Sequence, residues 1–205
     1  MYGIDEIYDM LSLNSSDEAQ AEGIKIAGQV KSLNVFMRPV TQEHGKDIWE
    51  NCAKVLCEKN NEMLSSGNNL NQLFEWLKDM NLPGAALIEE RLHKINGKDK
   101  VSVFISSFET AVLTGDSRWA AFLAEFAKDD LELFELLPSG YSQLVMNILT
   151  EPANDHRGYL INLQKENAEK SNEKAKRDME NYIEKVGDTL TDEQRQFLRN
   201  LVQGE

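Results

Sequence analysis

The chain has 205 residues, of which 41% are apolar, and its 35 acidic and 22 basic side chains give a net charge of −13. A chain this acidic is expected to repel nucleic acid phosphates, which argues against a general DNA- or RNA-binding role. No apolar run approaches the roughly 18 residues that span a bilayer. The acidic N-terminus lacks the features of a signal peptide, so we expect no membrane segment and a cytoplasmic location.

Helical periodicity runs through most of the chain. Apolar residues recur every three or four positions, as in Leu73, Trp76, Leu77 and Met80. Strand patterns are nearly absent, so the chain is predicted to be all-α.

The predicted helix starts recur at a nearly constant spacing. They are Asn14, Asp47, Asn81 and Asp116, which are separated by 33, 34 and 35 residues, and Asn154–Asp155 after a longer step. Asn and Asp side chains can accept hydrogen bonds from the free N–H groups of a helix start. Small residues stand five positions beyond the first four starts and are predicted to face neighbouring helices. They are Ala19, Cys52, Ala86 and Ala121.

The segment NLPG, residues 81–84, is predicted to be the corner of one helical hairpin. Asn81 would cap the following helix, Pro83 would take an early position where a missing N–H costs nothing, and Gly84 would allow close packing. A single hairpin cannot bury its apolar face alone, so a repeat of this kind predicts a HEAT-like αα-hairpin solenoid. An ordinary helical domain with evenly spaced caps is the alternative.

The C-terminal part differs from the repeats. Residues 1–137 are predicted to form the HEAT-like repeats, and residues 138–205 a last repeat and a long C-terminal helical hairpin in one continuous domain with the first. The hairpin would pair a long helix, Tyr159–Val186, with a short one that begins at a capping box of Thr191 and Gln194. A coiled-coil dimer arm is the competing interpretation, but an unbroken heptad seam is missing.

Two segments resemble a known family. They read IWENCAKVL, from Ile48 to Leu56, and LFEWLKDMNLPGA, from Leu73 to Ala85. Both are similar to the motifs WENCAKxL and EWLxDxNxPGA of an uncharacterised bacterial domain family with HEAT-like helical hairpins. The resemblance covers roughly residues 5–130, and it implies the fold. Some acidic helical-repeat proteins of this general kind are immunity partners of bacterial toxins, so the resemblance also raises that function.

Signals for catalysis and for cofactors are missing from the sequence. There is no GxGxxG or GxxxxGK loop, and the histidines, His44, His93 and His156, lie far apart at predicted turns and a helix end. Cys52 and Cys57, five positions apart on one helix, point about 140° from each other, which suits neither CxxC chemistry nor a disulfide. We therefore expect no enzyme activity, no cofactor and no metal.

Acidic residues recur on the helices that follow the predicted turns. Inner helices of repeat proteins often bind partners, so these acids are predicted to form a negative surface for a basic protein. Two tryptophans near the helix starts could add aromatic anchors. The predicted partner-binding residues are Glu18, Glu22, Glu50, Glu89, Glu90, Glu125, Trp49 and Trp119. A solvated acidic face is the alternative for the acids, and packing between repeats for the tryptophans.

The function predicted from these features is protein binding. Our specific hypothesis is an immunity-type inhibitor that occludes a basic bacterial toxin, such as a nuclease. A non-enzymatic helical-repeat scaffold or adaptor is the alternative. A DNA-repair glycosylase built on helical repeats comes third, because it would need a basic groove for DNA.

Overall fold

The computed structural model describes residues 2–186, and all regular structure in this range is helical. The all-α prediction is therefore confirmed for these residues. A 3-10 turn at Asn34–Phe36 accompanies eleven α-helices in the described part of the chain. The helices are α1 (Ile4–Leu11), α2 (Asp17–Ala27), α3 (Lys46–Cys57), α4 (Asn61–Ser65), α5 (Asn69–Trp76), α6 (Ala85–His93), α7 (Gly97–Thr114), α8 (Ser117–Asp129), α9 (Leu131–Leu136), α10 (Ser139–Thr150) and α11 (Arg157–Val186).

The chain divides into two compact units, Met1–Arg157 and Gly158–Glu205. In the first unit, α3 packs against α1, α2 and α6, and α5 packs against α6 and α7. Further along, α8 packs against α7, α9 and α10. Aromatic rings fill the middle of this unit: Phe74 meets Phe104 and Phe126 edge to face, with ring centres 5.9 and 5.6 Å apart.

Three buried cations hold the ends of helices in the first unit. Lys59 Nζ donates to the backbone carbonyls of Gly28 and Val30 at 2.6 and 2.9 Å, just beyond the end of α2. The Arg91 guanidinium donates to the carbonyls of Cys57 and Lys59 at 3.1 and 2.8 Å, at the end of α3. Lys100 donates to Leu92 O at 3.0 Å, near the end of α6. A positive charge at each helix C-terminus complements the exposed carbonyls and the helix dipole.

Of the first four predicted helix starts, one is confirmed and three are corrected. Asp116 caps α8 by accepting from the Trp119 N–H. The cap of α2 is Ser16 and not Asn14, because the Ser16 hydroxyl accepts from the Ala19 N–H. Asp47 lies inside α3 and accepts from the Gly45 N–H before it.

The third correction concerns the NLPG corner. Gly84 precedes α6 in a left-handed conformation, φ 80°, while Asn81 lies in the preceding turn and Pro83 outside the helix. Trp76 Nε1 donates to Pro83 O at 3.1 Å and so ties the corner to the end of α5. The chain can begin α6 here because glycine adopts positive φ without steric cost.

The four small residues predicted to face neighbouring helices differ in how deeply they are buried. Cys52 is buried, and Ala19 and Ala121 are half-buried. Ala86 is exposed, and Ala85 beside it is 1% exposed. The prediction for Ala86 is therefore wrong by one position, because α6 begins at Ala85 rather than near Asn81.

The second unit contains α11, a helix of 30 residues. Most of its described side chains are exposed, including the apolar side chains of Ala175 and Tyr182, whereas Leu160 is buried. The predicted last helix, with Thr191 and Gln194, lies outside the described residues. No helix in residues 2–186 has the length and apolar character that crossing a membrane requires.

Candidate functional site

The six acids predicted to bind a partner lie on four helices of the first unit. Glu18, Glu22, Glu90 and Glu125 are exposed, and Glu50 and Glu89 are half-buried. Glu18 and Glu22 are four positions apart on α2 and so share one face of that helix. Since α3 packs on both α2 and α6, three of the four acid-bearing helices are direct neighbours.

Some of these carboxylates already have cationic partners. Glu22 pairs with Lys25 at 3.4 Å, and Glu90 pairs with Lys94 at 2.6 Å. Hydrogen bonds from the Glu18 backbone N–H and the Ser16 hydroxyl hold the pKa of Glu18 below its usual value. Within residues 2–186, no hydrogen bond or ion pair engages the carboxylates of Glu50, Glu89 or Glu125.

The acids are spread over the surface and are not gathered into one pocket. None of the six belongs to a group of three described acidic, histidine or cysteine residues whose ligand atoms lie within 4.8 Å of one another. Such an arrangement provides a diffuse negative field rather than a binding site for a single ion.

The two tryptophans predicted as anchors are buried. Trp49 is 9% exposed and Trp119 is 3% exposed. Trp49 Nε1 donates to Pro39 O at 2.8 Å, and Trp119 Nε1 donates to Phe74 O at 3.2 Å. Because both rings are enclosed and their N–H groups have internal partners, they take part in packing, as the alternative interpretation expected. Neither offers an exposed aromatic face to a partner.

The cysteines do not form a reactive centre. Cys52 is buried and Cys57 is half-buried, and both are free thiols. Burial raises the pKa of Cys52 to about 12 and that of Cys57 to about 11. The thiolate is the nucleophilic form of cysteine, and here it is strongly disfavoured near neutral pH.

A cavity of about 210 Å³ lies between the turn after α7 and the turn after α10. Its lining includes Asp155, His156 and Arg157. The Arg157 guanidinium pairs with the Asp155 carboxylate at 2.6 Å, and His156 Nε2 lies 2.9 Å from the Glu151 carbonyl oxygen. These charged and titratable groups are engaged locally, so the cavity presents no arrangement of a nucleophile and a base.

His44 and three carboxylates form a cluster that the sequence did not predict. His44 lies on the turn before α3, Asp9 on α1 and Asp47 in the first turn of α3, and Glu43 precedes His44 in the chain. The His44 ring nitrogens lie 3.0 Å from Asp9 Oδ1 and 3.1 Å from Asp47 Oδ2. Local sequence patterns gave no signal for it, because Asp9 and His44 are 35 positions apart and meet through helix packing.

Comparisons of the chain with protein-family models, with curated proteins and with solved structures each found no match. The resemblance to a HEAT-like bacterial domain family therefore stays a prediction that depends on its two motifs.

Proposed function

We propose that this chain is a non-enzymatic protein-binding protein whose acidic surface binds a basic protein partner. The observation that supports this most directly is the set of carboxylates on Glu50, Glu89 and Glu125, which lack cationic partners within residues 2–186. Together with a net charge of −13, these groups supply a negative field that attracts cationic surfaces.

We also propose that the first unit is a stack of HEAT-like helical hairpins. This proposed arrangement is supported by hydrogen bonds that repeatedly join residues 30 to 37 positions apart in the chain. Asp47 accepts from Ser12, Arg91 donates to Lys59, and Asp130 accepts from Lys100. A repeating unit of about 34 residues would place equivalent positions of neighbouring hairpins in contact in this way.

Binding in this proposal is mainly electrostatic. Each exposed ion pair contributes only about 0–1 kcal/mol, so several acids must act together. Complementary charge also accelerates encounter between two proteins and disfavours partners of the wrong sign. The three unpartnered acids lie on α3, α6 and α8, so a partner surface that covers these helices could neutralise all of them.

The specific form of the proposal is an immunity-type inhibitor that covers the basic surface of a bacterial toxin, such as a nuclease. A scaffold or adaptor unrelated to toxins is the second candidate, since the same acidic surface would serve it. The neighbouring gene distinguishes the two: an adjacent toxin domain favours the inhibitor, and a neighbour of another kind favours the adaptor.

Partner capture from a lysate of the native cells tests the proposal. The test variant replaces Glu50, Glu89 and Glu125 with Gln, which removes three negative charges. The matched control replaces Glu62, Glu166 and Glu169 with Gln. These three residues lie elsewhere in the chain, are exposed, and lack described partners. We expect the parent and the control to recover the same basic protein, and the test variant to recover several-fold less.

The control separates a local surface from total charge, because both triple variants change the net charge by the same amount. Equal recovery by all three proteins, or a recovered protein that is acidic, would contradict the proposal.

A further inference from the structure

His44 joins separate parts of the first unit through both of its ring nitrogens. Nδ1 faces Asp47 Oδ2 at 3.1 Å, and Nε2 faces Asp9 Oδ1 at 3.0 Å. Glu43 is exposed, and one ligand atom each of Asp9, Glu43 and His44 lies within 4.8 Å of the others. The His44 side chain is only 12% exposed, whereas that of Asp9 is 66% exposed.

Asp47 fixes the orientation of the imidazole. Its carboxylate also accepts from the Gly45 N–H at 2.7 Å and from the Ser12 hydroxyl at 2.9 Å, so it cannot easily rotate away. An acceptor held against Nδ1 favours the tautomer in which Nδ1 carries the hydrogen. In that tautomer the lone pair of Nε2 faces the Asp9 carboxylate, so this contact needs a positive charge between the two atoms, either a proton on Nε2 or a metal ion that takes its place.

The side chains around Nε2 are of the types that let a metal ion displace that proton. Metal-bound histidines commonly donate their other ring N–H to a carboxylate, which is the arrangement of Asp47 and His44. Zn²⁺ accepts imidazole nitrogen and carboxylate oxygen at roughly 2.0–2.2 Å, which places tetrahedral ligand atoms about 3.3–3.6 Å apart. Asp9 Oδ1 lies 3.0 Å from Nε2 and would move slightly outward to reach that spacing, while the ligand atoms of Asp9, Glu43 and His44 all lie within 4.8 Å of one another. Both carboxylates are exposed and can rotate to make this adjustment.

We propose that Asp9, Glu43 and His44 bind a divalent first-row transition metal ion, with Zn²⁺ the best match, and that Asp47 positions the histidine. The two carboxylates balance the charge of the ion. Water would take the open coordination position, since Asp9 and Glu43 face solvent. Mg²⁺ and Ca²⁺ suit the site less well, because they prefer a shell of oxygen ligands. The bound ion would connect α1 to the turn that precedes α3.

Calorimetric titration of the full chain with Zn²⁺ tests the site. The test variant is His44→Gln, and the matched control is His156→Gln, which removes a half-buried histidine just before α11, outside the cluster. We expect one Zn²⁺ per chain for the parent and for the control, and binding at least tenfold weaker for His44→Gln. Binding that is absent from the parent, or equal in His44→Gln, would overturn the proposal.

Asp47→Asn examines the positioning role, with an expected loss of about tenfold to hundredfold in Zn²⁺ affinity. Circular dichroism of each metal-free variant shows whether it is folded, and Asp9→Asn gives a second ligand variant that leaves Asp47 and its hydrogen bonds in place. Co²⁺ serves as a spectroscopic probe: we expect visible bands without thiolate charge-transfer absorption. Thiolate absorption would assign the ion to a cysteine and overturn the site.

Discussion

At the scale of single residues, the buried cations stabilise the first unit by satisfying carbonyl groups at helix ends. Lys100 is the most enclosed of them, with no exposed surface. It binds the Leu92 carbonyl and the Asp130 carboxylate, and Asp130 in turn accepts from the Leu133 N–H at the start of α9. A buried ammonium is tolerated only with such partners, because removing a charge from water is costly.

Replacing Lys100 with Met should therefore lower the free energy of unfolding by about 3–5 kcal/mol. The methionine fills similar space but leaves the buried Asp130 carboxylate without its main partner. Chemical denaturation measured by circular dichroism gives the change. Lys98→Met on the same helix is the control, and since Lys98 is exposed its effect should stay within about 0.5 kcal/mol. Equal effects of the two substitutions would show that the Lys100–Asp130 pair does not stabilise the fold.

The same variant should have a distinct pH dependence. Burial raises the pKa of Asp130, but the hydrogen bonds from Lys100, the Leu133 N–H and His93, together with the charge of Lys100, outweigh burial, and the pKa lies below its ordinary value. The ionised Asp130 thus stabilises the folded state at pH values above its unfolded pKa of about 3.9. This stabilisation is lost as the pH falls through the lower pKa of the folded state. In the Lys100→Met variant, the effect of burial on the Asp130 pKa would dominate, and the Asp130 carboxyl would become protonated at a higher pH than in the parent. We expect the stability difference between parent and variant to shrink on acidification, and a constant difference from pH 7 to 4 would contradict this account.

At the scale of elements, the corner between α5 and α6 shows why a helix is interrupted at NLPG. Gly84 has φ 80° and also lies against α3, where an added Cβ would come within 2.4 Å of Ala53 Cβ and 3.1 Å of the Trp49 carbonyl oxygen. The corner therefore serves two purposes: it redirects the chain, and it lets α6 approach α3 closely. Any larger residue would conflict with both.

Gly84→Ala should destabilise the fold more than the same substitution at a glycine that has a positive φ but no close neighbours. Gly115 is that control, because its φ is 73° and an added Cβ would meet nothing within 4 Å. We expect Gly84→Ala to cost about 1–3 kcal/mol beyond the cost of Gly115→Ala, as overpacking does. Thermal and denaturant unfolding of the two variants measure the difference. If both substitutions cost the same, the close approach of α6 to α3 is not part of what the glycine provides.

Local patterns predicted the helical class and the cap at Asp116, since periodicity and capping depend on residues near in sequence. They placed the start of α6 too early, because Asn81 and Gly84 are both acceptable near a helix start and only the contact with Ala53 selects Gly84. The exposure of Ala86 follows from that shift in register. Sequence reasoning has no access to such contacts between helices.

For the candidate site, too, features that depend on a residue's own polarity were predicted, and features that depend on contacts between separate segments were not. Charged residues such as Glu90 and Glu125 are exposed, as their polarity leads one to expect. Trp49 and Trp119 are buried because each indole N–H finds a backbone carbonyl supplied by another segment. The His44 cluster could not be predicted, because it depends on how α1 packs against α3.

At the scale of the whole molecule, the negative charge is concentrated in residues 1–150. Residues 1–150 hold 23 acids and 13 bases, while residues 151–205 hold 12 acids and 9 bases. Three of the 13 bases, Lys59, Arg91 and Lys100, are buried against carbonyl groups or Asp130. The surface of the first unit is therefore more negative than its composition indicates, and this difference favours a basic partner.

The most direct test of this account is the association rate of the captured partner, measured at low and high salt. We predict a rate for the parent that falls steeply as salt rises, because screening weakens attraction between exposed charges. The variant with Gln at Glu50, Glu89 and Glu125 should associate more slowly than the control with Gln at Glu62, Glu166 and Glu169 at low salt, and the two should converge at high salt. Equal and salt-insensitive rates for all three proteins would contradict an acidic binding surface.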